Sequence, residues 1–254
     1  MIVLPMAGLS SRFFRAGYTV PKYMLDLHGV PVFDHALGSF AGLFGQARFV
    51  IICRDIQDTP TFVRARAEAL GLPAAQLDLV VLEQETAGQA ETVAAGLRAA
   101  GIAGETPITI FNIDTFRPGF AHPTTFDIAA VDGYLEVFTA PGDHWSFVKP
   151  RPGTDRVLEV AEKKRISDLC SDGLYHFRSA AAYLDLFSEI ENRDPGTLQG
   201  GEYYVAPLYN GAIARGEDIR YVEVPMTQIR FCGTPDEYAA LRMAPPFSPV
   251  GTPA

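Results

Sequence analysis

Cysteine is scarce in this chain. Its three thiols, Cys53, Cys170 and Cys232, lie far apart without CxxC or histidine spacing, so neither a disulfide framework nor a zinc site is expected. Long apolar runs are missing too: no stretch approaches the roughly 18 residues that a membrane span needs. Met1 leads at once into the first apolar run, which leaves no room for a signal peptide and makes a cytoplasmic protein the expectation. Positive charge is in deficit, 21 Lys and Arg against 30 Asp and Glu, and a net charge of -9 argues against a nucleic acid polymer or an anionic membrane as partner. Two familiar phosphate loops are absent as well, the Gly-Lys-Ser/Thr ending of a P-loop and the G-x-G-x-x-G of a dinucleotide fold.

What is present begins in the first twenty-two residues. Ile2-Val3-Leu4-Pro5 reads as a buried strand that empties into Ala7-Gly8-Leu9-Ser10-Ser11-Arg12, where small residues let backbone N–H groups approach an anion. Arg12, Arg15 and Lys22 lie in this segment with no acid among them, a local positive excess in an acidic chain and the charge a polyphosphate needs. An ordinary strand-to-helix turn with solvated arginines is the competing reading.

The segment 4–12, followed by Pro21-Lys22 and Gly29-Val30-Pro31, resembles the signature of the sugar-phosphate nucleotidyltransferases, A-G-x-G-[ST]-R, then P-K, then G-x-P. Ser10 stands where that family most often has its second glycine. The resemblance implies that Ala7, Gly8, Ser10 and Ser11 wrap a triphosphate, that Arg12 steadies it, and that Lys22 neutralises the phosphates at the reacting centre.

At 254 residues and 48% hydrophobic, the chain suits one large α/β domain over 1–243, with an NTP-binding half at 1–126, an acceptor-binding half at 127–243 and a Pro-rich tail at 244–254. Apolar spacing predicts helices over 32–44, 61–70 and 92–100 and strands over 49–53, 77–82 and 108–111. Such alternation argues for a Rossmann-like, mostly parallel mixed sheet with helices on both faces, whose ligands sit at the carboxyl ends of the strands. By resemblance this is the nucleotide-diphospho-sugar transferase, or GT-A-like, fold.

Two loops after those strands carry candidates. In 83–91 the family has a G-x-A segment that reads the base, which implies Gly88 by its backbone, with Glu85, Thr86 or Gln89 near the hydrogen-bonding edge. In Asn112-Ile113-Asp114 a carboxylate stands just past a central strand, where it can hold magnesium or cap a turn. The match to the family's metal aspartate makes Asp114 the expected Mg2+ ligand, supported by Asn112.

Beyond 127 the pattern turns to strands at 133–139, 147–149 and 157–160, a helix at 180–190, another from 200 to about 214, and a strand at 219–224. Ala161-Glu162-Lys163 and Gly173-Leu174-Tyr175 resemble the family's acceptor segments. They imply Lys163 on the acceptor phosphate, with Glu162 and Gly173 shaping the pocket. Glu202, in a G-E-Y segment, is a specificity candidate, and Lys149 is a further candidate for the acceptor site. Phe231-Cys232-Gly233-Thr234-Pro235 resembles a D-x-G-T-P signature but has Phe231 in place of the aspartate, so Asp172, Asp236 or a phosphate oxygen is left to act as the second metal ligand.

The resemblance is to short enzymes of capsule and surface-polysaccharide synthesis. It implies transfer of a nucleotidyl group from an NTP, CTP before UTP or dTTP, to a sugar 1-phosphate or other phosphorylated acceptor, with Mg2+ and release of pyrophosphate. A GT-A glycosyltransferase and an inactive nucleotide-binding regulator are the alternatives.

Overall fold

The computed structural model describes residues 1–246. In chain order the elements are β1 (Ile2–Met6), α1 (Ser11–Arg15), β2 (Asp26–Leu27), β3 (Val30–Pro31), α2 (Val32–Gly38), β4 (Phe49–Cys53), α3 (Thr59–Ala69), β5 (Leu77–Val81), α4 (Gln89–Ala99) and β6 (Ile108–Phe111). They continue with β7 (Thr115–Phe116), β8 (Gly133–Thr139), β9 (Ser146–Pro150), β10 (Val157–Glu162), β11 (Leu169–Phe177), α5 (Ala180–Ser188), α6 (Tyr209–Ala214), β12 (Ile219–Glu223), β13 (Arg230–Phe231) and α7 (Pro235–Met243). The expected tail at 244–254 lies, from 247 onward, outside the described residues.

The chain groups into two compact units that interleave in sequence. One comprises 4–85, 112–121 and the segment from 227. In it β1 neighbours β4, and β4 pairs in parallel with β5 from Phe49 opposite Leu77 to Cys53 opposite Val81. Both β1 and β4 are buried along their whole length, which is why IVLPM and FVIIC read as unbroken apolar runs: helices cover parallel strands on either face. α2 and α3 are tied together by an ion pair between Asp34, 2% exposed, and the Arg66 guanidinium.

The other unit comprises 1–3, 86–111 and 122–226. Its strands run β10-β9-β11-β6-β1, with β8 pairing both β11 and β12. Thr109 and Ile110 of β6 pair in parallel with Ile2 and Val3, whereas β11 is antiparallel to β6, β8 and β9. The fold is therefore α/β with a mixed sheet, parallel where strands and helices alternate and antiparallel around β11.

Two predicted helices are shorter in the structure. Helix 32–44 stops at Gly38: the Ser39 N–H still reaches the His35 carbonyl, but the Ser39 carbonyl accepts from Phe120 instead of continuing the ladder, and its hydroxyl, which bonds back to the His35 carbonyl, accepts the Arg117 N–H. Helix 200–214 survives only as α6, since Gly200 and Gly201 both take positive φ and Pro207 removes a donor. What precedes α6 is a chain of single 3₁₀ turns.

Candidate functional site

β1 delivers buried Ala7 to the start of the loop, and Gly8 and Ser10 carry it to the short helix α1. Ser11 and Arg12 open that helix on its exposed side, and Arg12 makes no ion pair among the described residues. Lys22 begins a single 3₁₀ turn after Pro21, and its Nζ lies 2.5 Å from Asp114 Oδ2, with both side chains only about a fifth exposed at 21% and 22%. Residues ninety-two apart in sequence thus form one charged pair.

Asp114 is held by its backbone as well. The turn after β6 leads into β7, which pairs with β13 so that Phe231 lies opposite Thr115, and the Asp114 carbonyl accepts the Cys232 N–H at 2.7 Å. A Cβ on Gly233 would stand 3.0 Å from Asp114 Oδ2, so this glycine leaves the carboxylate its room. Burial, reinforced by the Asp114 charge, pushes the Cys232 thiol up to about 12. It stays protonated and is no nucleophile. Glu85, exposed, faces Arg54 at 3.9 Å.

Asp114 offers the hard oxygen donor that magnesium takes, and it already faces a cation. Among the described residues no three His, Cys, Asp or Glu side chains gather into a metal cage. Glu237 is the nearest further acid to Gly233, but its Oε2 is engaged by the N–H groups of Gly233 and Thr234 in the capping box of α7. Asp236 is exposed in the first turn of that helix, and in the other unit Asp172 accepts the Leu174 N–H. One carboxylate fits an ion that brings phosphate oxygens with it.

In that other unit Gly88 caps α4 with φ 148, and Gln89 is the first residue of the helix. The backbone of Tyr203 explains the glycine: it bonds to the Ala87 carbonyl and the Ala90 N–H, and a Cβ on Gly88 would meet Tyr203 N at 2.5 Å. Thr86 and Thr92 share a hydrogen bond of 2.6 Å across the same turn.

Glu162 ends β10 in the same unit, and Lys163 follows it. Glu162 is buried and accepts a hydrogen bond from the Ser146 hydroxyl; burial raises its pKa, with Ser146 opposing. Lys163 sits at φ 52, in the left-handed region, and its ammonium bonds to the Tyr204 hydroxyl while lying 4.5 Å from the centroid of that ring. Burial works against the ammonium, but Tyr204, Glu162 and Glu202 outweigh it and hold its pKa above the ordinary lysine value. Gly200 fits between Tyr204 and Glu162, where a Cβ would meet them at 2.7 and 2.9 Å. Gln199 accepts the Glu162 N–H, and Gln199, Glu202 and Tyr204 border a cavity against α5 and α6.

Gly173, at φ 94, lies within the register shift of β11. Lys149 faces Glu159 across the β9–β10 hairpin at 3.8 Å, three positions along β9 from Ser146, the residue opposite Glu162. Both side chains of that pair are exposed. Nothing in the sequence ties Tyr204, Gln199 and Ser146 to Glu162 and Lys163, because no spacing links 146, 162 and 199–204. The Tyr203-Tyr204 pair after Glu202 was the only visible signal.

No protein-family model matches the chain, and no curated protein sequence does. Solved structures do. The nucleoside-diphosphate-sugar pyrophosphorylase from Vibrio cholerae RC9 is 48% identical, with a TM-score of 0.89 over 96% of this chain and 100% of its own. The inositol-1-phosphate CTP transferase from T. maritima, 15% identical over 94% and 93% of the two chains, has a TM-score of 0.71. A UDP-glucose pyrophosphorylase complexed with UDP-glucose, 14% identical over 95% and 96%, also has 0.71. The last two show a shared fold, while the first shows descent, and its identity over nearly the whole chain decides against the glycosyltransferase alternative. With an ammonium–carboxylate pair behind a glycine–serine loop, and that identity end to end, this chain belongs to the nucleoside-diphosphate-sugar pyrophosphorylases of the sugar-phosphate nucleotidyltransferase family.

Proposed function

We propose that this enzyme transfers a nucleotidyl group from CTP to a sugar 1-phosphate or another small phosphorylated acceptor, releasing pyrophosphate, in the cytoplasmic supply of precursors for a surface polysaccharide. The observation that carries the phosphoryl chemistry is the Lys22–Asp114 pair beside the Gly8–Arg12 loop. An oxygen of the acceptor phosphate attacks the α-phosphorus, that P–O bond forms as the bond to pyrophosphate breaks, and no covalent enzyme intermediate is needed. The inert Cys232 thiol beside Asp114 agrees with this.

The work of the chain is charge and position. Gly8, Ser10 and Ser11 present the loop to the triphosphate, Arg12 and Lys22 offset its negative charge, and Asn112 supports the turn that carries Asp114. Mg2+, when bound, supplies further neutralisation at the phosphates, and Asp114 would hold it. Gly88 meets the base by its backbone, with Glu85, Thr86 or Gln89 near its hydrogen-bonding edge. Lys163 binds the acceptor phosphate, Glu162 and Gly173 shape the pocket, and Glu202 lies near the acceptor hydroxyls; Lys149, engaged by Glu159, acts only at its margin.

A pyrophosphate-release screen of the purified protein with Mg2+, each NTP and dTTP, against sugar 1-phosphates and non-sugar phosphomonoesters, tests the reading. Release with CTP and one acceptor supports it, and release with UTP or dTTP alone would correct the base. Silence with every pair, while one nucleotide still binds in calorimetry, would favour the regulator.

A further inference from the structure

Ser10 has φ 52 and ψ 29, a left-handed conformation that glycine enters freely and serine does not. Its hydroxyl is engaged: Ser10 Oγ accepts the backbone N–H of Lys22 at 3.1 Å, twelve residues on. That N–H is the first donor of the 3₁₀ turn 22–24. Pro21, the residue before it, offers no side chain that could cap the turn. Ser10 also starts α1, its carbonyl accepting from Phe13 and Phe14. One residue therefore ends the loop, begins α1 and caps the turn that carries Lys22, whose far end is fixed on Asp114.

We infer that Ser10 is a positioning residue, a long-range cap whose hydroxyl sets Lys22 against the Gly8–Arg12 loop as one rigid piece. A glycine here would relieve the backbone but leave the Lys22 N–H without its cap. The serine accepts a strained conformation and in return couples the loop to the lysine. This rests on the reading of Lys22 as a phosphate ligand, so the test has an arm that does not depend on turnover.

Ser10→Gly removes the hydroxyl and relaxes the backbone, Ser10→Ala removes the hydroxyl and keeps the strain, and Ser10→Asn keeps an acceptor on a residue that tolerates this conformation. Amide exchange of Lys22, read by NMR on the full chain, should quicken by about tenfold in Ser10→Gly and Ser10→Ala, the equivalent of one lost hydrogen bond, and slow again in Ser10→Asn. The melting temperature of Ser10→Gly should stay at or above wild type while its kcat/KM falls by about tenfold, a combination that a merely structural role would not produce. Unchanged Lys22 exchange in Ser10→Gly would overturn the cap, and wild-type kcat/KM with faster exchange would overturn the positioning. A wild-type protein without activity would sink the proposed function instead, and the exchange arm would still decide the cap.

Discussion

Lys22 and Asp114 sit at 2.5 Å with about a fifth of each side chain exposed, and pairs in such partly solvated places add little to stability, about 0 to 1 kcal/mol. On the proposed function, their worth lies in charge held ready for phosphate. Lys22→Ala and Asp114→Ala are each expected to lower turnover by about 10² or more with the fold intact by circular dichroism, and near-normal rates would remove both from the mechanism. Tyr204 makes a different claim, because its hydroxyl holds a lysine that is itself in a strained conformation. Tyr204→Phe keeps the ring and loses that bond, so the KM for the acceptor should rise by about tenfold while the KM for the nucleotide stays put. Equal shifts in both constants would assign Tyr204 to general packing.

At the scale of elements, α4 is seated by its first residues. The Tyr203 backbone lies against Gly88 at distances that no Cβ can share, and two hydrogen bonds fasten 87–90 to it. Gly88→Ala should therefore cost about 2 kcal/mol or more, since backbone must give way to backbone at a φ that L residues rarely adopt. Thermal unfolding reads this directly, and an unshifted melting temperature would mean that the 203 segment is free to retreat. α2 and α6 teach a related lesson. The sequence predicts longer helices at both places, yet Ser39 accepts from the N–H groups of Arg117 and Phe120 and the glycines at 200 and 201 turn the chain, so local competition ends what would otherwise have continued.

On the scale of the whole molecule, acid is the expected weakness. His176 is buried, stacked on Tyr134 and bonded to Thr109, with His122 and the Met1 ammonium also near, and burial followed by those charges lowers its pKa to about 3. The unfolded chain takes up this proton below about 6.5 and the folded one does not, so stability is complete above that pH and is lost as pH falls toward 3. The melting temperature should drop by about 5 to 10 °C between pH 7 and pH 4, and His176→Gln should flatten that slope even if it lowers the starting value. An equal slope in the variant would place the acid sensitivity elsewhere. Much of this protein could be read along the chain. The buried runs at 2–6, 49–53 and 108–111, the small-residue loop and its bases, and the lone carboxylate after β6 are local patterns, because strand burial and loop chemistry follow from neighbours in sequence. Folding alone could decide that Lys22 meets Asp114, that Ser10 caps Lys22, that Tyr204 holds Lys163 and that Lys149 turns to Glu159. Each of those partners is chosen by strand pairing and turn geometry, which bring together residues that no spacing along the chain connects.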